Sequence, residues 1–277
     1  MKLQAFLPLV TYTDPNADAV AANAAAVAAL IGADLNALAV NVTIPQVSNA
    51  LSRFLLDVPD MIRQAEATSR GHGERLLAAV KAAGEAAQVT VATETVVETP
   101  PLLSATAALA ARYHDIALIG WEEQNPTSRT TAESVVFGSG RPVVLLPETL
   151  DAAAFDHVAI AWDGSRVAAR AAADARPFLA RARRVSVLTV VDEKPLAAGD
   201  GERLAASLRR AGLEAEAVKL TGRNAAVART LQEGALERGC GLLAMGGYGH
   251  SRVRDFVMGG ATEGVLKALS IPVLLSH

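Results

Sequence analysis

The sequence predicts an α/β protein built from two tandem, doubly wound parallel-sheet domains related by pseudo-twofold symmetry, on three observations. The chain repeats itself at a fixed offset, and short β-rich runs alternate with helical patterns. Those runs are continuous more than alternating in apolar character, as strands covered on both faces tend to be. The repeat is plainest where the halves end, with RPVVLL over Arg141–Leu146 answered by IPVLLS over Ile271–Ser276. Upstream, Ala132–Val135 answers Thr262–Val265 at the offset that relates Pro142 to Pro272, and Ile116–Gly120 answers Gly241–Gly246.

The first half places strands near Phe6–Thr13, Leu35–Val42, Val89–Val97, Ile116–Gly120 and Val143–Pro147. A long helical stretch through Asp57–Gln88 separates its second and third strands. In the second half the strands are expected at His157–Trp162, Arg184–Val191, Glu214–Leu220, Gly241–Met245 and Val273–Ser276. Helices are expected over Arg166–Ala182, Gly201–Ala211, Asn224–Arg238 and Ala261–Leu269. Right-handed crossovers then wind each sheet. Domains of residues 1–150 and 151–277 are expected, joined by a short linker at Glu148–Phe155. Pro100, Pro101 and Pro126 read as loop markers.

Composition narrows the function classes. The chain has 277 residues, 51% of them hydrophobic, and a net charge of −3, so a basic nucleic-acid-binding stripe is not expected. No apolar run reaches the ~20 residues of a membrane span, and the first ten residues do not read as a signal peptide, so a soluble cytoplasmic protein is expected. Charge is uneven, with 9 basic and 15 acidic residues in 1–150 against 17 and 14 in 151–277, which suits a small anion in the second half. The lone Cys240 precedes an apolar run and reads as a buried structural thiol. Neither a nucleophile elbow, a Walker-type lysine loop nor a metal-spaced histidine pair occurs. His72 and His114 read as exposed helix residues, and the Asp192-Glu193 pair as solvated turn residues.

The most informative segment runs from Met245 to Thr262, leaving a buried strand and entering a helix. Glycines there let the backbone approach a phosphate and aim N–H groups at it, and the following helix start adds further donors. His250, Arg252 and Arg254 are candidates to neutralise phosphate charge or to be simply solvated. Gly246, two residues, Gly249, nine residues and Gly259 form a spacing that resembles the signature of the universal stress protein family. Asp163–Ser165 after the first strand, Val187–Asp192 as the second and Ile271–Val273 before the last extend the resemblance over the second half, and the repeat extends it over the first.

The resemblance implies a Rossmann-like, adenine nucleotide α-hydrolase-like fold and an ATP site in the second half. ATP with Mg²⁺ is the first expectation, with AMP or another phosphorylated ligand as the alternative. It places Asp163 beside the nucleotide, the Val190 backbone on the adenine, and Met245, Gly246, Gly249, Gly259, Gly260, Ala261 and Thr262 around ribose and phosphates. The family has Ser or Thr where this chain has Gly260, so one hydroxyl is missing and weaker binding is expected. Asp163 reads equally as a helix cap, and Thr262 as an ordinary first-turn residue. Catalytic residues are not expected, and at most weak ATP hydrolysis. A phosphoryl- or nucleotidyl-transferring enzyme and a nucleotide-free interaction protein are the competing readings. In the first half Gly120 is followed by Trp121, Glu122 and Glu123, which exclude a phosphate, so that copy reads as a degenerate scaffold. Single-domain members of the family it resembles dimerise. The resemblance therefore implies that Val143–Pro147 and Val273–Ser276 pair antiparallel within the chain, with a homodimer also possible.

Overall fold

The computed structural model describes residues 2–45, 58–123, 125–191, 200–222, 226–247 and 261–277. Its contacts divide the chain into Met1–Ser139 and Gly140–His277. The first unit runs β1 (Leu3–Val10), α1 (Ala19–Ile31), β2 (Ala33–Val42), α2 (Val58–Ala86), β3 (Val91–Glu98), α3 (Leu103–Ala111), β4 (Ile116–Trp121) and α4 (Pro126–Gly138). Its strands lie in the order β3-β2-β1-β4, with β1 paired parallel to both β2 and β4. The central strands are buried nearly throughout, whereas β3 at the edge alternates between half-buried and exposed residues because one face stays wet. Gly32, in the left-handed region at φ 68°, ends α1 by donating its N–H back to the helix, so β2 can begin one residue later.

The second unit runs β5 (Val143–Pro147), β6 (His157–Ala161), α5 (Arg166–Asp174), α6 (Arg176–Leu179), β7 (Arg184–Val190), α7 (Asp200–Arg210), β8 (Glu214–Leu220), α8 (Val227–Leu236), β9 (Leu242–Gly246), α9 (Ala261–Val265) and β10 (Val273–Ser276). Its strands lie in the order β5-β10-β9-β6-β7-β8. All pair parallel except β5 with β10, which run antiparallel with Val273 opposite Leu145 and Leu275 opposite Val143, as the two proline-led strands were expected to do.

Several expectations need correction. The single helix over Arg166–Ala182 is two, because Pro177 has no N–H to give and the chain re-enters helix after Ala175. Helix α9 stops at Val265 instead of Leu269. Pro100 and Pro126 start helical turns: their fixed φ suits the first helical position, where the missing N–H costs nothing. Strand β1 runs Leu3–Val10, three residues ahead of the expected Phe6–Thr13 at both ends. His114 lies beyond α3 and stacks on Phe6 with ring centroids 4.7 Å apart, and half-buried His72 sits 3.2 Å from the Thr11 carbonyl. The Asp192-Glu193 pair lies outside the described residues.

Candidate functional site

Strand order reverses between β6 and β9, because the chain goes outward from β6 through β7 to β8 and then returns to the other side at β9. The loops leaving such neighbours diverge, and the crevice at their carboxyl ends is where open α/β sheets hold ligands. Four predicted residues stand at those ends: Asp163 just after β6, Val190 as the last residue of β7, and Met245 and Gly246 closing β9. Ala261 and Thr262 open α9, where Thr262 is buried. Gly249, Gly259 and Gly260 lie outside the described residues, with His250, Arg252 and Arg254.

Asp163 is exposed and shapes the β6–α5 turn. Its Oδ1 accepts from the Ser165 N–H at 3.0 Å, while Gly164 between them takes φ 72°. The helix cap is Ser165, whose Oγ accepts from the Ala168 N–H at 3.2 Å. The capping role foreseen for Asp163 thus belongs two residues on, and the carboxylate holds the turn that delivers the cap.

Val190 owes its aspect to the pleat. The Trp162 N–H bonds the Leu188 carbonyl toward β6, and the Val191 N–H bonds the Leu220 carbonyl toward β8. Polar groups alternate sides along a parallel strand, so the N–H and C=O of Val190 face the β6 side. The last register partner of β6 there is Ala161, opposite Leu188, so both groups look past the strand end into the crevice. They offer one donor and one acceptor from a fixed backbone.

Gly246 has a reason of its own. A Cβ there would stand 2.6 Å from Val167 Cγ2, 2.7 Å from the Val167 carbonyl carbon and 2.8 Å from the Ala168 nitrogen, so β9 and the first turn of α5 meet through this glycine. Gly120 makes the same contact in the first unit, where a Cβ would stand 2.6 Å from Val20 Cγ2 on α1. A half without the glycine loop keeps this glycine, so sequence reasoning missed its packing role. Comparing the two copies was the signal that would have found it. Gly247 is also committed, its N–H donating to the Ser276 carbonyl at 2.7 Å and its carbonyl 3.0 Å from His277 Nδ1.

Three buried polar atoms near the carboxyl ends of β6, β7 and β10 lack a hydrogen-bond partner among the described residues: Trp162 Nε1, Thr189 Oγ1 and Ser276 Oγ. Thr189 Oγ1 lies against α7, where a Cβ on Gly201 would stand 2.9 Å from it. At the opposite end of the sheet, His157 Nε2 lies 2.9 Å from Ser186 Oγ, which donates to Glu216 at 2.8 Å. Cys240 is buried nearby, and desolvation pushes its thiol up to about 11, so it stays protonated and inert as a nucleophile. Among the described residues no cluster could hold a metal ion and no helix is long and apolar enough to cross a membrane.

Known proteins resemble this chain at two levels. Residues 154–277 match the model of the universal stress protein family. The universal stress protein Slr1230 of Synechocystis is 41% identical over 68 residues, a stretch covering 24% of this chain and 22% of that relative. In structure, a universal stress protein from Archaeoglobus fulgidus superposes with a TM-score of 0.74 at 16% identity, over 99% of this chain and 96% of its own. A functionally unknown protein from Pseudomonas aeruginosa gives a TM-score of 0.51 at 14% identity, over 99% and 92%. The second half of the chain thus resembles the universal stress protein family in sequence, and the whole chain shares the fold of a family member.

Proposed function

We propose that the second unit binds one adenine nucleotide, ATP foremost, at the β6–β9 switch point, and that the protein is a cytoplasmic stress-response regulator. The observation that carries this reading is the Val190 backbone. Its donor and acceptor face the crevice side by side, matching the N1 acceptor and the 6-amino donor of an adenine edge. In this reading Met245 floors the site, Asp163 stands by the ribose, and Gly249, Gly259, Gly260, Ala261 and Thr262 line the phosphates. Gly246 keeps the strand close enough to α5 for the loop to start at the right height.

Binding without turnover is the expected behaviour, since Asp163 is the sole carboxylate named near the phosphates and it already holds a turn. Calorimetry with Mg²⁺ and ATP should give one site per chain, and Gly249→Val should abolish it with the fold intact. Two equivalent sites, or an unaffected Gly249→Val variant, would overturn the assignment. Gly260→Ser should tighten binding a few-fold by restoring a hydroxyl donor.

A further inference from the structure

The corresponding crevice of the first unit, between β1 and β4, holds a carboxylate supplied by the chain itself. Glu122, two residues beyond the packing glycine Gly120, turns back toward the entry of α1. Its Oε1 accepts from the Ala17 N–H at 3.1 Å and from Asn16 Nδ2 at 3.1 Å. Its Oε2 accepts from Asn16 Nδ2 at 3.1 Å and from Asn125 Nδ2 at 3.5 Å.

The donors are set before the carboxylate arrives. Asn16 is 3% exposed and its Oδ1 accepts from the Val10 N–H at 2.7 Å, so the amide can only present its Nδ2 to Glu122. Asn125 is 6% exposed, and its Oδ1 caps α4 by accepting from the Thr127 and Ser128 N–H groups at 3.1 and 3.0 Å. Its Nδ2 is thereby turned to the Asp14 carbonyl at 2.9 Å and to Glu122. Two buried amides of fixed orientation and one main-chain N–H converge on two oxygens of one negative group. That is the chemistry of an oxyanion receptor.

We propose that Glu122 is a built-in ligand: its carboxylate fills an oxyanion receptor in the first unit and keeps external phosphate and carboxylate groups out. The comparison with a phosphate position rests on the nucleotide reading of the second unit, but the receptor stands on the first unit's own geometry. The first copy has therefore exchanged an external anion for an internal one, which holds its β1–α1 and β4–α4 connections together whatever ligand is present.

The test removes the carboxylate and offers it back in solution. The protein has two tryptophans, so Trp162→Phe leaves buried Trp121, the neighbour of Glu122, as the single reporter. In that background, Glu122→Ala should lower the thermal midpoint followed by Trp121 emission by roughly 5 °C, the scale of losing one set of charge-assisted hydrogen bonds. Sodium acetate or phosphate at millimolar levels should restore the midpoint saturably, while chloride at matched ionic strength should not. The Glu122-containing parent should respond equally to all three salts. If the alanine variant does not fold in chloride, refolding from urea in acetate should recover it. A folded variant indifferent to acetate and phosphate, or one that neither salt refolds, would overturn the proposal. ATP calorimetry on the parent reads the second unit separately, so failure of one reading leaves the other standing.

Discussion

At the scale of single residues, Gly246 and Gly120 show how one amino acid can be required for two unlike reasons. Each lies near the end of its strand, β9 and β4, against a first-turn helix residue, but their surroundings differ in compliance. Gly120 would press a methyl mainly on the Val20 side chain, which can turn aside, whereas Gly246 would press it on the Val167 and Ala168 backbone. Gly246→Ala should therefore cost about 1–3 kcal/mol and Gly120→Ala less, by urea unfolding followed at the tryptophan of each unit. An equal or inverted order would remove the packing account. His157 gives a second prediction. Burial holds its pKa below the ordinary 6.5, with the Arg184 charge adding to the shift against opposing contributions from the Arg238 backbone, Glu216 and Asp156. The folded state binds that proton less readily than the unfolded chain. The contribution of His157 is therefore complete above pH 6.5 and is lost as pH falls below it toward the depressed folded value. Unfolding experiments from pH 7.5 to 5 should show stability falling with pH, and His157→Gln should flatten that fall. These residue roles were hidden in the sequence because they depend on what a side chain meets across the sheet. His157 was legible as a strand start, but its partner Ser186 lies 29 positions away.

Elements were legible wherever burial on both faces imposed a continuous apolar run. Val143–Pro147 and Val273–Ser276 have the bounds their patterns predict, as does the largely exposed edge strand Glu214–Leu220, and the other strands differ by a few residues at their ends. Helices were less so: nothing in the alanine-rich run from Arg166 marks the break at Ala175 except Pro177, and a proline two residues into a new helix looks like one inside an old helix. The cap was misplaced by the same ambiguity, since Asp163 and Ser165 are both good acceptors and only the φ of 72° at Gly164 decides which meets the helix. Ser165→Ala should cost about 1 kcal/mol of second-unit stability, read by chemical denaturation. Asp163→Ala should loosen the turn while leaving the Ser165 cap in place. Strand β10 would be an open edge without β5. Residues 151–277 expressed alone should then self-associate in sedimentation runs, and a stable monomer would show that the edge needs no cover.

For the molecule as a whole, the parallel α/β class and the doubled organisation follow from the repeat and the strand pattern. The candidate site was legible in outline, because strand ends at a switch point can be counted from the sequence. What the sequence hid was the internal anion: Glu122 reads as a residue that repels phosphate, and only the fixed amides of Asn16 and Asn125 turn it into one that replaces it. The antiparallel pairing of Val143–Leu145 with Val273–Leu275 carries a further consequence. An edge covered by a separate subunit is bare for a fraction of the time that grows on dilution, because the covering strand must be recruited from solution. Here it is tethered, so its local concentration is set by chain geometry and not by how much protein the cell makes. The second unit should keep its β5–β10 pairing at nanomolar levels, and it should not trade strands with other copies when two tagged versions are mixed.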